Sequence, residues 1–300
     1  MRRYIYNMQR RIYLLIFSLF LTARLFGQNT NDAVIFHIHS SHTSFPDSGR
    51  LHGHTSDSVF YTTADHYRDS TVLIIAPKNL NSKKKIDMIF WFHGWRNNVD
   101  STASYYQLTR QFIASKRNAV LVLPEAARNS PDSYGGKLEK PGVFKALVSD
   151  VLDSLKVRHL IGKSCISGKI LLGGHSGGGR VIGKIVANGG MEINEVMLFD
   201  AMYSETETFM SWMQANQAHR LIDMYTDVGY GPDAESRRMA GLLQQQQVPF
   251  LQAEESALTG QQLQSNRLII IHSKSQHNDI ICNPDNFELY LVNSPFLTAW

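Results

Sequence analysis

Gly174-His175-Ser176-Gly177-Gly178 presents a serine hydroxyl in a setting suited to nucleophilic attack. The apolar run ending at Leu172 precedes it and a helix-length segment follows it, so Ser176 falls on a sharp strand-to-helix turn. Such a turn strains the backbone and lifts the side chain above the sheet, and the flanking glycines leave the room it needs. That context carries the reading, because a bare Gly-x-Ser-x-Gly recurs by chance. A phosphate-cradling loop would end in Gly-Lys-Ser/Thr, which this stretch lacks. A serine hydroxyl attacks only when a base removes its proton. Two histidines follow a late apolar run: His272 at its end, and His277 five residues on, in a loop.

Elements able to position these groups alternate along the chain. Runs rich in Val, Ile, Leu and Phe span 33–38, 71–75, 86–92, 119–123, 170–172, 196–199, 220–225 and 268–271. From Ile86 onward they lack polar alternation, as expected for parallel strands covered on both faces. Helices are expected at 101–115, 143–155, 177–188, 234–245 and about 279–291, which implies βαβ units and a mostly parallel sheet. No helix separates the first two strands, so they should form an antiparallel edge.

In this order of elements, over about residues 70 to 300, the chain resembles the α/β-hydrolase superfamily. The Gly174–Gly178 elbow, the upstream Phe92-His93-Gly94-Trp95 loop and the late His277 carry the resemblance. It implies an α/β-hydrolase fold: a mostly parallel central sheet with an antiparallel N-terminal edge and helices on both faces. It further implies His277 as the base and the Trp95 and Gly177 N–H groups as the oxyanion hole. The acid stays open. Asp227 ends a strand at the usual superfamily position, Asp200 ends the preceding strand at a position some lipases use, and Asp233 is a third choice. The implied activity is cleavage of a carboxylic ester, with no cofactor or metal required. A peptidase or amidase on the same triad, and a binding protein on a hydrolase scaffold, are the alternatives.

The 300 residues are 43% hydrophobic and 19% charged, an ordinary globular balance that argues against disorder. The formal charge of +4 looks basic, but Arg2, Arg3, Arg10, Arg11 and Arg24 belong to the first 24 residues. Without them the chain is near neutral, and nucleic acid is not an expected partner. Those arginines flank an apolar stretch of about 12 residues, short of the roughly 20 a membrane-spanning helix needs. Residues 1–27 therefore read as a secretory signal cleaved near Gly27, with export to the periplasm or medium and no lasting membrane anchor. Residues 28–300 read as one catalytic domain for a small-molecule or polymer ester. Cys165 and Cys282 are too few for a disulfide framework, and free thiols are expected. His37, His39, His42, His52, His54 and His66 match no metal spacing and read as loop histidines. Residues 129–139, after a strand's carboxyl end, and residues 203–213, where such hydrolases insert a lid, are candidate walls of the substrate site. Each reads equally as ordinary structure, a surface loop and a core-packing helix.

Overall fold

Strands form where the uninterrupted apolar runs lie, because burying side chains on both faces needs an extended backbone with helices above and below. A computed structural model describes residues 30–81, 84–227 and 231–300; the expected signal at 1–27 lies outside the described residues. The strands are β1 Ala33–His39, β2 His54–Ser56, β3 Val59–Tyr61, β4 Thr71–Pro77, β5 Lys85–Phe92, β6 Ala119–Pro124, β7 Ile166–His175, β8 Glu195–Phe199, β9 Arg220–Thr226, β10 Leu251–Glu254 and β11 Leu268–Ser273. The helices are α1 Thr63–His66, α2 Val99–Tyr105, α3 Leu108–Ala114, α4 Val143–Val157, α5 Gly178–Asn188, α6 Thr206–Ala215, α7 Pro232–Gln245, α8 Gly260–Ser265 and α9 Asn286–Val292.

Nine strands make one sheet in the order β1-β4-β6-β5-β7-β8-β9-β11-β10, while β2 and β3 form a separate hairpin. β4 runs antiparallel to both β1 and β6, and every other pairing in the large sheet is parallel. Alternation along β5 sends Met88, Phe90 and Phe92 into one core with Phe144, Ile182, Phe209 and Met239, and Ile89 and Trp91 into the other with Phe112, Phe287 and Tyr290. Helices thus cover both faces, α4 to α7 on one side and α2, α3 and α9 on the other.

Two helix expectations needed revision, and three short strands went unseen. The segment read as one helix over 101–115 is two, broken where Gln107 takes φ 52° and Tyr106 turns inward to become buried. The last helix starts at Asn286 rather than near 279, since Pro284 would remove a helical donor and restrict the residue before it. β10 has only four residues, and the β2–β3 hairpin is shorter still, so neither stands out as an apolar run. The segment at 203–213 is no lid: α6 buries Phe209, Met210, Trp212 and Met213 in the core. Both cysteines are free. Among the described residues no group of three or more histidines, cysteines or acids is arranged to hold a metal ion. His37 and His42 instead pair separately with Asp100 and Asp150.

The buried polar residues of the sheet include an acid on β9. Asp223, midway along β9, has no solvent exposure, and its carboxyl is pushed up from 3.8 to about 7 by burial, opposed by Ser236 and reinforced by Asp200. A carboxyl raised in this way costs stability once ionised, so that cost grows as pH rises from about 4 to about 7 and is constant above. Asp223→Asn is therefore expected to stabilise the fold by roughly 2–4 kcal/mol at pH 8, because each tenfold change in proton affinity is worth about 1.4 kcal/mol. Thermal melts at pH 5 and pH 8 check this; an equal gain at both would show that ionisation of Asp223 is not the cause.

Candidate active site

At the end of β7 the chain turns through Ser176 at φ 54°, a left-handed conformation rarely taken by a residue with a side chain. The Ser176 N–H donates to the Phe199 carbonyl at 3.2 Å, tying the turn to the end of β8. α5 begins immediately afterwards, and only glycine fits there: a Cβ on Gly179 would lie 1.8 Å from the Ala201 carbonyl oxygen. The close packing holds the positive end of α5 directly behind Ser176.

Two of the residues expected to act together meet across the end of the sheet. His277 Nδ1–H donates to Asp200 Oδ2 at 2.6 Å, and Asp200 is fully buried. Thr226 donates its N–H to Asp200 Oδ1 at 2.9 Å and its hydroxyl to Oδ2 at 2.6 Å. Burial alone would raise the Asp200 carboxyl, but the hydrogen bonds from His277 and Thr226 outweigh it and hold the group below its ordinary value of 3.8.

Of the acids the sequence offers, the structure brings Asp200 to His277 and not Asp227. Side chains alternate along a strand, so Thr226 faces Asp200 while the next residue, Asp227, points away. Asp227 lies 2.8 Å from His272 Nε2 and is also approached by Arg237. Asp233 pairs with Arg237 in the first turn of α7. His272 is taken by two carboxylates, with Glu254 3.0 Å from Nδ1. Burial lowers its pKa, but the two acids outweigh that and raise it above 6.5. His272 thus belongs to a separate cluster.

His93-Gly94-Trp95 brings backbone against Ser176. A Cβ on Gly94 would sit 2.7 Å from Ser176 Cβ and 3.3 Å from its Oγ. His93 is buried, with Nδ1 2.8 Å from the Gly94 carbonyl oxygen and Nε2 2.7 Å from Glu125 Oε1. Burial lowers the His93 pKa, yet Glu125 and the Gly94 carbonyl reverse this and the net direction is upward. Because a trans peptide points its C=O and N–H in opposite directions, fixing the Gly94 carbonyl on His93 also fixes the Trp95 N–H. Neither the Trp95 nor the Gly177 N–H finds a protein acceptor among the described residues. Gly94→Ala is expected to lower kcat on an activated aryl ester by roughly 100- to 1000-fold, the scale of losing one oxyanion donor. Steady-state kinetics on protein with wild-type circular dichroism checks this, and a kcat within threefold of wild type would contradict it.

Several supporting residues escaped the sequence reading. Tyr106, turned inward by the break between α2 and α3, hydrogen-bonds His175 Nδ1 at 3.0 Å, and His175 Nε2 bonds the His277 carbonyl oxygen at 2.9 Å. A carbonyl only accepts, so Nε2 carries the proton and Nδ1 receives the Tyr106 hydroxyl. Burial and the charge of His277 push the His175 pKa down to about 3, which keeps the ring neutral for this bridging role. Tyr203 places its phenol against the Ser176 hydroxyl; burial raises its pKa and that contact opposes the rise. The histidine inside the Gly-x-Ser-x-Gly pattern was a visible cue to His175. Tyr203 opens the 203–213 segment expected as a candidate wall, and it does line the cleft, whereas Tyr106 had no cue.

A cleft of about 550 Å³ opens over these groups, lined by Gly94, Trp95, Arg96, Ser176, Tyr203 and His277 among others. Among the described residues none of the 129–139 segment lines this cleft, so that expectation is corrected: the segment backs the wall instead, with Ser133 Oγ accepting the Trp95 indole N–H at 2.7 Å and the Ser130 carbonyl accepting the Arg96 N–H at 3.0 Å.

No family model and no curated protein sequence matches the chain. Solved structures do. A ferulic acid esterase superposes with a TM-score of 0.56 at 12% identity, covering 88% of this chain and 98% of its own. The feruloyl esterase module of Clostridium thermocellum gives 0.53 at 10% identity, covering 89% and 88%. A fluorophosphonate-binding serine hydrolase of Staphylococcus aureus gives 0.50 at 12%, covering 87% and 98%. At such identities the likeness concerns architecture, and with the nine-stranded sheet, its reversed β4 and the turn at Ser176 it establishes that this chain has the α/β-hydrolase fold.

Proposed function

We propose that the protein is a serine hydrolase that cleaves a carboxylic ester by acyl transfer. The observation that carries this reading is the 2.6 Å contact between His277 and the buried Asp200, in the cleft that also exposes Ser176 on a strained turn. Ser176 Oγ attacks the ester carbonyl carbon while His277 Nε2 takes its proton. The oxygen that becomes negative is held by the Trp95 and Gly177 N–H groups. Collapse of the tetrahedral intermediate breaks the bond to the alcohol, which leaves with the proton from His277. Water then repeats the sequence on the acyl-enzyme, releasing the acid and restoring Ser176. Asp200 holds the imidazole in the tautomer that leaves Nε2 free and stabilises the imidazolium as it forms. Preference for ester over amide rests on the fold likeness to feruloyl esterases.

The test uses wild-type protein. Hydrolysis of 4-nitrophenyl acetate is followed beside a panel of aminoacyl anilides, and a fluorophosphonate adduct is located by tandem mass spectrometry. Ester turnover with the adduct on Ser176 is expected. Anilide turnover without ester turnover would replace the esterase with a peptidase, and no adduct on Ser176 would leave only a binding protein on this scaffold.

A further inference from the structure

The geometry points to an ester that carries an anionic group, held by Arg96; this inference rests on the ester-hydrolase reading above. Arg96 lines the cleft together with Ser176 and His277. Among the described residues its guanidinium makes no hydrogen bond, ion pair or ring contact, and its backbone N–H alone is engaged, with Ser130. Arg68, which does not line the cleft, is likewise unpaired among the described residues, but the cations around the site have partners: Arg50 is held by Asp132, Arg128 by Asp69, Arg180 by Glu139 and Arg238 by Glu207 and Glu235. No carboxylate lines the cleft, and the acid nearest the chemistry, Asp200, is buried and committed to His277 and Thr226. The cleft therefore carries a positive charge that the protein leaves unanswered.

The backbone gives independent support. Arg96 has φ 59°, a left-handed conformation that glycine or asparagine adopts at less cost than arginine. A strained residue with a long cationic side chain at the mouth of a catalytic cleft is where strain and function coincide. Arg96 also follows Trp95 directly, so its side chain starts one residue from the N–H proposed to hold the scissile carbonyl oxygen. An anionic group bound there lies within a side chain's reach of the reacting bond. The planar guanidinium suits a carboxylate held by two parallel hydrogen bonds. Beside it Trp95, half exposed and fixed by Ser133, offers a flat apolar wall for the part of the substrate between the two ends.

The experiment measures kcat/KM for two matched pairs of esters. Monomethyl glutarate against methyl pentanoate places the charge on the acyl side, and 4-acetoxybenzoate against 4-acetoxybenzamide places it on the alcohol side. Wild type is expected to prefer the anionic member of at least one pair. Arg96→Asn, chosen because asparagine tolerates φ near 59°, should reduce that preference by roughly tenfold or more, the worth of a charge-assisted hydrogen bond. Arg96→Lys should retain part of it. If the preference is absent from wild type, or survives Arg96→Asn in both pairs while the esters are still turned over, the inference is overturned and the hydrolase reading stands. If none of the four esters is cleaved and Ser176 takes no fluorophosphonate, both fail together.

Discussion

Replacing Ser176 with alanine is expected to lower kcat on 4-nitrophenyl acetate by about 10⁵- to 10⁶-fold, the scale seen when a triad nucleophile is removed. The magnitude follows from the division of labour at the site. In the proposed mechanism no acyl-enzyme forms without Oγ, so His277 and Asp200 would have no proton transfer to assist, while the Trp95 and Gly177 N–H groups would still polarise a bound carbonyl. Some acceleration over water therefore remains. Alanine at this position inherits the same φ of 54° and loses only the contact with Tyr203, so the fold should be kept and KM should change little. Active-site titration with a fluorophosphonate, beside steady-state rates on protein purified away from host esterases, makes the measurement. Activity above about one per cent of wild type would mean that another group attacks, because triad nucleophiles contribute far more than that.

The second large effect separates two aspartates. Asp200→Asn is expected to reduce kcat by roughly 10³- to 10⁴-fold, whereas Asp227→Asn should stay within about threefold of wild type. Asparagine keeps the shape of the acid but offers an amide to His277 Nδ1, which favours the tautomer whose proton sits on Nε2, where the Ser176 proton must go. Asp227, exposed and shared between His272 and Arg237, touches nothing that reacts. The Asp200 carboxylate also sets an acid limit. Its pKa is held below the ordinary 3.8, so its favourable contribution to stability is complete above that value and is lost as pH falls through its lowered folded value. The Asn variant should lack this component of acid unfolding. Parallel kinetics of the two variants decide the matter; a severe loss in Asp227→Asn with little in Asp200→Asn would exchange their roles.

The elbow could be read directly from the chain because its demands are local. A strand, a turn that admits only small neighbours and a helix start are all written between Leu171 and Asn188, and no distant residue had to be known. The sheet was legible for a related reason: strands covered on both faces are apolar at every position, and seven such runs became β4 to β9 and β11. His277 could be placed because loop position after the last long strand is also a property of chain order.

What the tertiary structure decided is the set of contacts that depend on register between strands far apart in sequence. Asp200 and Asp227 end adjacent strands and have equal claims in the chain. The choice turns on which way Thr226 faces, and a shift of one residue would have reversed it. The same holds for Tyr106, which reaches His175 only because the helical segment at 101–115 breaks at Gln107, with neither Gly nor Pro to announce it. Nothing in the sequence singles out Arg96. Its missing partner becomes visible only when the loops after β5, β7 and β11 converge on one cleft. The place of Ser176 on a strand-to-helix turn was thus determined by its neighbours in the chain, whereas the carboxylate that meets His277 and the unpaired cation beside the cleft were determined by packing.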